Sequence, residues 1–229
     1  MEGQTHKYRL LVVNPNANPT VTAQVQRSAD RVLGHGWIAQ AINHEDSPHS
    51  IQTPADRNLA EPYAIDLLSR NQGYDAYVMA CFDDIAVHAG RRFLRAPVVD
   101  PVEASVAIAR QVAHRFTIVT TVETMVPGIQ LLLDSLGAGA QCTVRAAGVS
   151  VSAAAAGTTK VIEQLNHTME MACDVDGAEA IILGSGGLTG HAALLRERYG
   201  LPVIDCIEAA VLLAVATTNC LARPEAADA

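Results

Sequence analysis

Aromatic residues and charges are both scarce in this chain of 229 residues. Aromatics make up 4% and charged residues 17%, whereas hydrophobic residues make up 49%. A core of this composition must consist of Ala, Val, Ile and Leu, and so much apolar side chain excludes a disordered chain. Lys and Arg number 16 against 24 Asp and Glu, so the net charge is −8. The missing basic excess argues against a nucleic-acid-binding protein.

Paired cysteines, metal-ligand spacings and long apolar runs are also missing. The five cysteines are odd in number and include no CxxC pair, which predicts a reduced, cytoplasmic protein without a disulfide framework. The eight histidines show no HExxH spacing, so we expect no metal. The apolar runs 10–13 and 209–216 are too short for a signal peptide core or a membrane span. We therefore expect no membrane partner.

Short aliphatic runs alternate with helix-like segments along the whole chain. This rhythm is typical of βαβ units and predicts an α/β fold with parallel sheets. The predicted strands are 9–13, 38–42, 76–80, 98–99, 116–119, 143–147, 180–183 and 203–204. The predicted helices are 20–33, 60–71, 85–93, 102–114, 125–136, 160–175, 190–199 and 208–221.

The chain also repeats itself at an offset of roughly 105 residues. Segment 75–81 aligns with 179–185, and segment 96–104 aligns with 201–209, where Pro, Val, Asp and a Glu-Ala pair recur. The sequence therefore predicts two pseudo-symmetric α/β halves, each large enough to hold a core. We expect the first half to span residues 1–115 and the second 116–221, with the last helix packing back onto the first half. Residues 222–229 are expected to form a frayed tail.

Duplication predicts a cleft between the halves. Ligands of open α/β sheets bind beyond the carboxyl ends of the strands. The loops at those ends begin at Asn14 and Cys81 in the first half, and at Thr120 and Ser185 in the second. With a pseudo-twofold axis between the halves, Cys81 and Ser185 approach one ligand from opposite sides. None of the four loop starts carries Arg or Lys, which favours a small, uncharged, polar ligand.

Two of these features have plainer interpretations. A free cysteine such as Cys81 is most often a small buried hydrophobe, although a helix start lowers a thiol pKa and nearby aspartates raise it. The glycine-rich segment 184–190 imitates a dinucleotide site, but its third glycine is misplaced for GxGxxG. A simpler role is a turn whose N–H groups bind a ligand oxygen. The remaining cysteines are expected in strand or helix packing: Cys142, Cys173, Cys206 and Cys220.

Several segments carry a family resemblance. They are VVNPN at 12–16, ACFDD at 80–84, IVTT at 118–121, RAAGV at 145–149, and PVID at 202–205 with EAA at 208–210. Together they resemble the hydantoin and allantoin racemases of the aspartate/glutamate racemase superfamily, over about residues 10–221. The resemblance implies a duplicated α/β fold, no cofactor and a homo-oligomer.

The resemblance also implies a mechanism with two cysteines. One thiolate removes the proton from a ring carbon, and a second thiol returns a proton on the opposite face. Cys81 matches the first cysteine, but Ser185 stands where the second is expected. An unactivated serine hydroxyl is too weak an acid and base to replace a thiol. Ser185 is therefore either a Cys→Ser change that disables a racemase, or a natural residue of an enzyme that uses Cys81 alone.

We therefore expect a cofactor-independent isomerase, a racemase of a cyclic ureide such as a 5-substituted hydantoin or allantoin. Cys81 is predicted as the base on one face, with Ser185 at the position of the opposing acid. The ring carbonyls and the developing enolate are expected to be held by Asn14, Phe82, Thr120, Thr121 and Gly186. The alternatives are a one-cysteine lyase, isomerase or ring-opening hydrolase, and a non-catalytic ligand-binding member.

Overall fold

The two halves of the chain each form a parallel sheet. A computed structural model describes residues 8–222, and within them eight strands form two four-stranded sheets of order β2-β1-β3-β4 and β6-β5-β7-β8. The matching strand orders confirm the predicted α/β fold with two pseudo-symmetric halves. The strands are β1 Tyr8–Asn14, β2 Trp37–Asn43, β3 Ala76–Met79, β4 Val98–Val99, β5 Phe116–Thr120, β6 Cys142–Ala146, β7 Ala180–Leu183 and β8 Val203–Asp205.

Helices connect and flank these strands. Two short 3-10 turns, Glu123–Met125 and Gly186–Leu188, follow β5 and β7. The α-helices of the described part of the chain are α1 Pro19–Val32, α2 Pro54–Arg70, α3 Val87–Phe93, α4 Pro101–Val112, α5 Val126–Ser135, α6 Val151–Ala156, α7 Thr159–Asp174, α8 Ala192–Tyr199 and α9 Cys206–Leu221.

Two helices differ from the sequence prediction. Helix α2 begins at Pro54 rather than at residue 60, because Thr53 caps it and proline suits the first helical position. The Thr53 hydroxyl accepts a hydrogen bond from the Asp56 N–H at 3.1 Å. Helix α6 was not predicted, since its six residues are too few to show a periodic pattern. Ser150 caps its start, and Gly157 ends it in the left-handed conformation with φ 62°.

The aspartate that recurs in both copies of the repeat is a helix cap. Asp100 follows β4, and its carboxylate accepts a hydrogen bond from the Val102 N–H at 2.6 Å. Asp205 ends β8 and accepts from the Ile207 N–H at 3.0 Å. Both residues satisfy N–H groups at the start of the following helix, α4 and α9. The strand, helix, strand, Asp order therefore has a structural cause that is independent of nucleotide binding.

The core has three large parts and one small cluster around Ile51, and the largest part belongs to both halves. Alternate residues of a strand point to opposite faces, so Leu11 and Val13 of β1 enter an outer core of the first half. Val12 enters a second core together with Phe116 and Ile182 of the second half. A third core lies on the outer face of the second sheet. The two sheets are therefore joined by shared burial of apolar side chains.

The last helix of the chain packs on the first half. Helix α9 lies against α1, α4, β3 and β4, although it follows β8 of the second sheet. The predicted boundary between residues 115 and 116 stays a prediction, and residues 223–229 of the predicted tail lie outside the described residues. Within residues 8–222, no helix combines the length and apolar character needed to cross a membrane.

Candidate active site

One pocket collects residues from both halves at the carboxyl ends of the strands. Its empty volume is about 440 Å³. Polar groups come from the loops after β1, β3, β5 and β7, as the topology predicts. The lining includes all but one of the site residues predicted from the sequence, namely Cys81, Phe82, Thr120, Thr121, Ser185 and Gly186.

Asn14 is the predicted residue that does not line the pocket. It is fully buried, and its amide nitrogen donates to Asn16 Oδ1 at 3.1 Å and to Thr22 Oγ1 at 3.0 Å. Its Oδ1 accepts from the Asn16 N–H at 3.2 Å. These bonds hold the turn after β1, and Asn16 is the asparagine of that turn that reaches the pocket. The amide of Asn14 thus supports the site from behind.

Cys81 lies in a half-buried position directly after β3. Its side chain packs against Ile51, Ala60 and Ile85. Burial raises the pKa of the Cys81 thiol well above its ordinary value, and the charge of Asp83 raises it further, whereas the charge of Arg57 lowers it. The helix expected directly after Cys81 begins only at Val87, so burial and these charges set the pKa of the thiol and favour its protonated form in the free site.

The acidic residues after Cys81 are held by one arginine from α2. Arg57 Nε donates to Asp83 Oδ1 at 2.8 Å, and its Nη2 donates to Asp84 Oδ1 at 2.7 Å. Burial raises the pKa of Asp83. Burial acts in the same direction on Asp84, but the hydrogen bond and charge of Arg57 outweigh it and lower the pKa of that carboxyl. The loop after β3 therefore carries a largely desolvated ion-pair cluster beside the thiol.

Ser185 also lines the pocket, directly after Gly184, the residue that follows β7. Its side chain is 7% exposed, and its Oγ accepts a hydrogen bond from the Gly187 N–H at 3.2 Å. The neighbouring glycines are needed for close packing. A Cβ at Gly184 would lie 2.6 Å from a methyl carbon of Ile118, and one at Gly187 would lie 2.7 Å from the Val151 carbonyl oxygen. Gly184 and Gly187 therefore lie against their neighbours without room for a Cβ.

A connecting segment of the first half contributes to the pocket lining and forms hydrogen bonds with the second half. We call residues 44–53, between β2 and α2, the strap; its Ile51 lines the pocket. The hydroxyls of Ser50 and Ser152 share a hydrogen bond of 3.0 Å. The Thr124 hydroxyl donates to the carbonyl oxygen of Gln52. The strap therefore bridges the two halves above the strand ends.

Sequence reasoning missed the apolar wall of the pocket and one of its polar groups. Asn16 had a signal, because it belongs to the same Asn-Pro-Asn block as Asn14. The wall residues come from the strap, the turn after β5 and two helices, where no strand end or repeat marks them. They are Ile51, Met125, Ile129 and Val151.

The other cysteines are not part of the pocket lining. Cys142 and Cys206 are buried, as expected for packing, whereas Cys173 is half-buried and Cys220 is exposed on α9. Burial raises the pKa of Cys206 well above its ordinary value, and the charges of Asp205 and Cys81 act in the same direction. The five cysteines, all within the described residues, carry free thiols.

Comparison with known proteins identifies the family of this chain. The sequence profile of Asp/Glu/Hydantoin racemases matches residues 10–214. The chain belongs to this racemase family. It is 36% identical over 208 residues to a hydantoin racemase from Rhizobium meliloti, which covers 90% of this chain and 86% of the relative. A hydantoin racemase from Paenarthrobacter aurescens is 33% identical over 210 residues, 90% of this chain and 89% of the relative.

The fold of the chain is also similar to that of solved racemase structures. The allantoin racemase from Klebsiella pneumoniae superposes with a TM-score of 0.89 and 30% identity, over 96% of this chain and 95% of that one. The predicted family and the predicted class of enzyme are therefore confirmed, and the protein is an isomerase of the racemase type.

Proposed function

We propose that this racemase acts on a cyclic ureide, a hydantoin with a hydrocarbon substituent at C5, held between Cys81 and Ser185. One observation carries the proposal: both residues line the same pocket, from matching positions after β3 and β7. A flat ring between them presents one face to a thiol and the other to a hydroxyl. The substrate named for the sequence relatives, hydantoin, is of this shape.

The polar lining of the pocket favours a neutral ring. Among the described residues that line it, none carries a charged side chain. A free aspartate or glutamate would bring carboxylates that need cationic partners. The ring carbonyls and N–H groups of a ureide instead suit neutral partners, which the side chains of Asn16, Thr120 and Thr121 offer.

The apolar wall favours a hydrocarbon substituent over the ureido group of allantoin. Ile51, Met125, Ile129 and Val151 contribute apolar side chains to the pocket lining. A ureido group against such a wall would lose hydrogen bonds to water without replacement. By the measure of protein mutations, burying such a polar group costs about 1–3 kcal/mol. An alkyl or aryl group would gain about 25 cal/mol for each Å² removed from water.

The chemistry requires two proton transfers at C5 of the ring. Cys81 first releases its thiol proton to water; the thiolate then takes the C5 proton, and the electron pair of that C–H bond moves toward the C4 carbonyl to give an enolate. Backbone N–H groups of Phe82 and Gly186 stabilise the enolate oxygen in this proposal. A proton then returns to C5. Return from the Ser185 side inverts the carbon, whereas return from Cys81 restores the original hand.

A reaction that uses Cys81 alone is the second candidate. The Ser185 hydroxyl has the Gly187 N–H as its hydrogen-bond partner, and none of the described lining residues is a base that could activate it. A one-cysteine lyase, isomerase or ring-opening hydrolase would need no acid on that side. The same observation supports the idea that Ser185 is a Cys→Ser change in a racemase.

The test follows both hydrogen exchange and chirality. Single enantiomers of 5-benzylhydantoin, 5-isopropylhydantoin and allantoin are incubated in D2O with the protein and with its Cys81→Ala and Ser185→Cys variants. Optical rotation and deuterium at C5 are recorded. We expect exchange that outpaces inversion, faster inversion in Ser185→Cys, and loss of exchange in Cys81→Ala by at least about a hundredfold.

Other outcomes select other functions. Ring opening or CO2 release would support the one-cysteine candidate and overturn racemisation as the main reaction. Exchange of allantoin at a higher kcat/KM than either hydrocarbon-substituted hydantoin would overturn the assignment of the apolar wall. Inertness of all three proteins toward the whole panel would overturn the proposed substrate class and favour a ligand-binding role.

Two further predictions accompany the proposed function. The cytoplasmic location indicated by the cysteine pattern and the homo-oligomer implied by the family resemblance stay predictions. Light scattering on the purified protein measures its mass directly, and a value of 24.2 kDa, the mass of one chain, would contradict the expected oligomer.

A further inference from the structure

The loop that carries Cys81 is fastened to helix α2 by an ion-pair cluster. Besides its bonds to Asp83 and Asp84, Arg57 pairs with Glu61 on the same helix at 3.3 Å. The other carboxylate oxygen of Glu61 accepts a hydrogen bond from the Ala86 N–H at 3.2 Å. Ala86 has φ 59°, a left-handed conformation that costs a non-glycine residue energy. Bonds from α2 therefore hold both ends of the segment after Cys81.

This cluster is confined to the thiol side of the pocket. The matching segment after β7, 184–190, contains no acidic residue and no arginine. It is held instead by glycine packing, by the Ser185 cap and by hydrogen bonds that Thr189 and Gly190 donate to Asp205. A loop held by an arginine is therefore particular to the thiol side. The ion pairs accompany the residue that must change its charge.

Acidic groups surround Cys81, and Arg57 is the cation that offsets them. The Cys81 thiol interacts electrostatically with Asp83 in its own loop, with Asp100 at the start of α4, and with the Cys206 thiol at the start of α9. Each of these groups opposes a negative charge on the Cys81 sulfur when it is itself ionised. Arg57, from α2, is the cation that favours such a charge. Its side chain is 26% exposed, so water screens it only in part.

We propose that Arg57 is a positioning residue for Cys81, which holds the acidic loop in place and offsets the carboxylates that face the thiol. The proposal rests on the proposed role of Cys81 as the acid–base group. It goes beyond that role, because it assigns a task to a residue that does not line the pocket. Its central consequence is that removing the arginine lowers the reactivity of the thiol, although removal also loosens the loop.

The test measures alkylation of Cys81 and needs no substrate. The full-length protein is treated with iodoacetamide at pH 8.5, and mass spectrometry of peptides follows Cys81 separately from the other four cysteines. Only the thiolate reacts, so the rate reports the thiolate fraction. We expect Arg57→Met to slow alkylation by about three- to tenfold, and Asp83→Asn to accelerate it by a similar factor. Arg57→Lys should keep more than half of the original rate.

Two controls keep the outcome interpretable. Arg145→Met removes an arginine paired with the buried carboxylate of Asp176 in the second half, at 2.5 Å, and should change the rate less than twofold. The double variant Arg57→Met/Asp83→Asn should return toward the original rate, and it replaces the single variant if that protein does not fold.

The opposite direction of the two single variants is the decisive result. Loosening of the loop alone would expose Cys81 and accelerate alkylation in both, which would overturn the proposal. A rate in Arg57→Met equal to that in Arg145→Met would overturn it as well. Because no substrate is present, these results stand apart from the exchange experiment. Failure there with success here would reject the substrate and keep the role of Arg57.

Discussion

At Gly187 a backbone carbonyl oxygen lies too close to the position that a Cβ would take. The Val151 oxygen lies 2.7 Å from that position and belongs to the backbone of α6, so it cannot rotate away. We predict that Gly187→Ala destabilises the protein by about 1–3 kcal/mol, because overpacking forces the backbone to shift. Urea unfolding measures the change in the free energy of unfolding.

Gly128 provides the matched control for this substitution. It lies inside α5, and nothing stands within 4 Å of its Cβ position. Gly128→Ala should stabilise the protein by about 0.5–1 kcal/mol, because alanine has less backbone entropy to lose in a helix. Equal effects of the two substitutions would contradict the close packing of the segment after β7.

Asp100 should make stability depend on pH in an unusual direction. Burial raises the pKa of its carboxyl to about 7, whereas an unfolded aspartate titrates near 4. Between these values the folded protein binds the extra proton, so this group contributes stability that declines as pH rises from 4 to 7. The decline is at most about 1.4 kcal/mol per pH unit.

The Asp100→Asn variant isolates that contribution. Asparagine keeps the cap of α4, because its side-chain oxygen also accepts from an N–H. We expect the variant to gain about 2 kcal/mol relative to the original protein between pH 5 and pH 7.5, as measured by urea unfolding. A difference in unfolding free energy that is independent of pH would show that the buried carboxyl does not titrate in this range.

Among the elements, the strap contributes Ile51 to the pocket lining. Its Ser50 bonds to Ser152, which also accepts from the Asn18 amide at 3.3 Å. We predict that Ser50→Ala/Ser152→Ala raises KM by about three- to tenfold, because each lost hydrogen bond is worth about 0.5–1.5 kcal/mol and Ile51 is held less firmly. The value of kcat should change less than twofold, since the strap contacts bound substrate and transition state alike.

Steady-state kinetics on a hydantoin substrate checks this prediction. Ser135→Ala is the control, because the Ser135 hydroxyl donates to the carbonyl of Leu132 in its own helix. That variant should keep both kinetic constants. If the strap variant lost kcat at constant KM, the strap would be acting on the chemical step, against our prediction.

The elements were predictable to different degrees. All eight strands of the described chain lie within one residue of their predicted bounds, since buried parallel strands are continuous aliphatic runs. Helix α2 was predicted too short because its first turns are polar and depend on the Thr53 cap. Helix α6 is a run of small residues between Ser150 and Gly157, and its packing rather than its pattern makes it helical.

The site was predictable where symmetry marks it and unpredictable elsewhere. Aligning the two copies brings Cys81 and Ser185 to matching strand ends, and a shared pocket follows from the topology. Nothing in the alignment marks Val151 or Arg57. Each contacts residues that are distant in sequence and become neighbours only in the folded chain. Neither residue has a counterpart in the other copy of the repeat.

At the scale of the whole molecule, the shared core should make unfolding cooperative. Val12 and Val78 of the first sheet belong to one cluster with Phe116 of the second. We predict a single unfolding transition in which the calorimetric and van't Hoff enthalpies agree. Isolated segments 8–115 and 116–222 should lack stable structure by circular dichroism. Two separate transitions, or a folded segment, would contradict the prediction.

The path of α9 sets a rule for recombining this protein with its relatives. The helix follows β8 of the second half but packs against α1, α4 and β3 of the first. A chimera joined between residues 115 and 116 would therefore pair a first half from one parent with an α9 from the other. In such a hybrid, the apolar side chains of α9 would pack against a first half from the other parent. Exchange of α9 together with the first half would keep the contacts of α9 with α1, α4, β3 and β4 within a single parent.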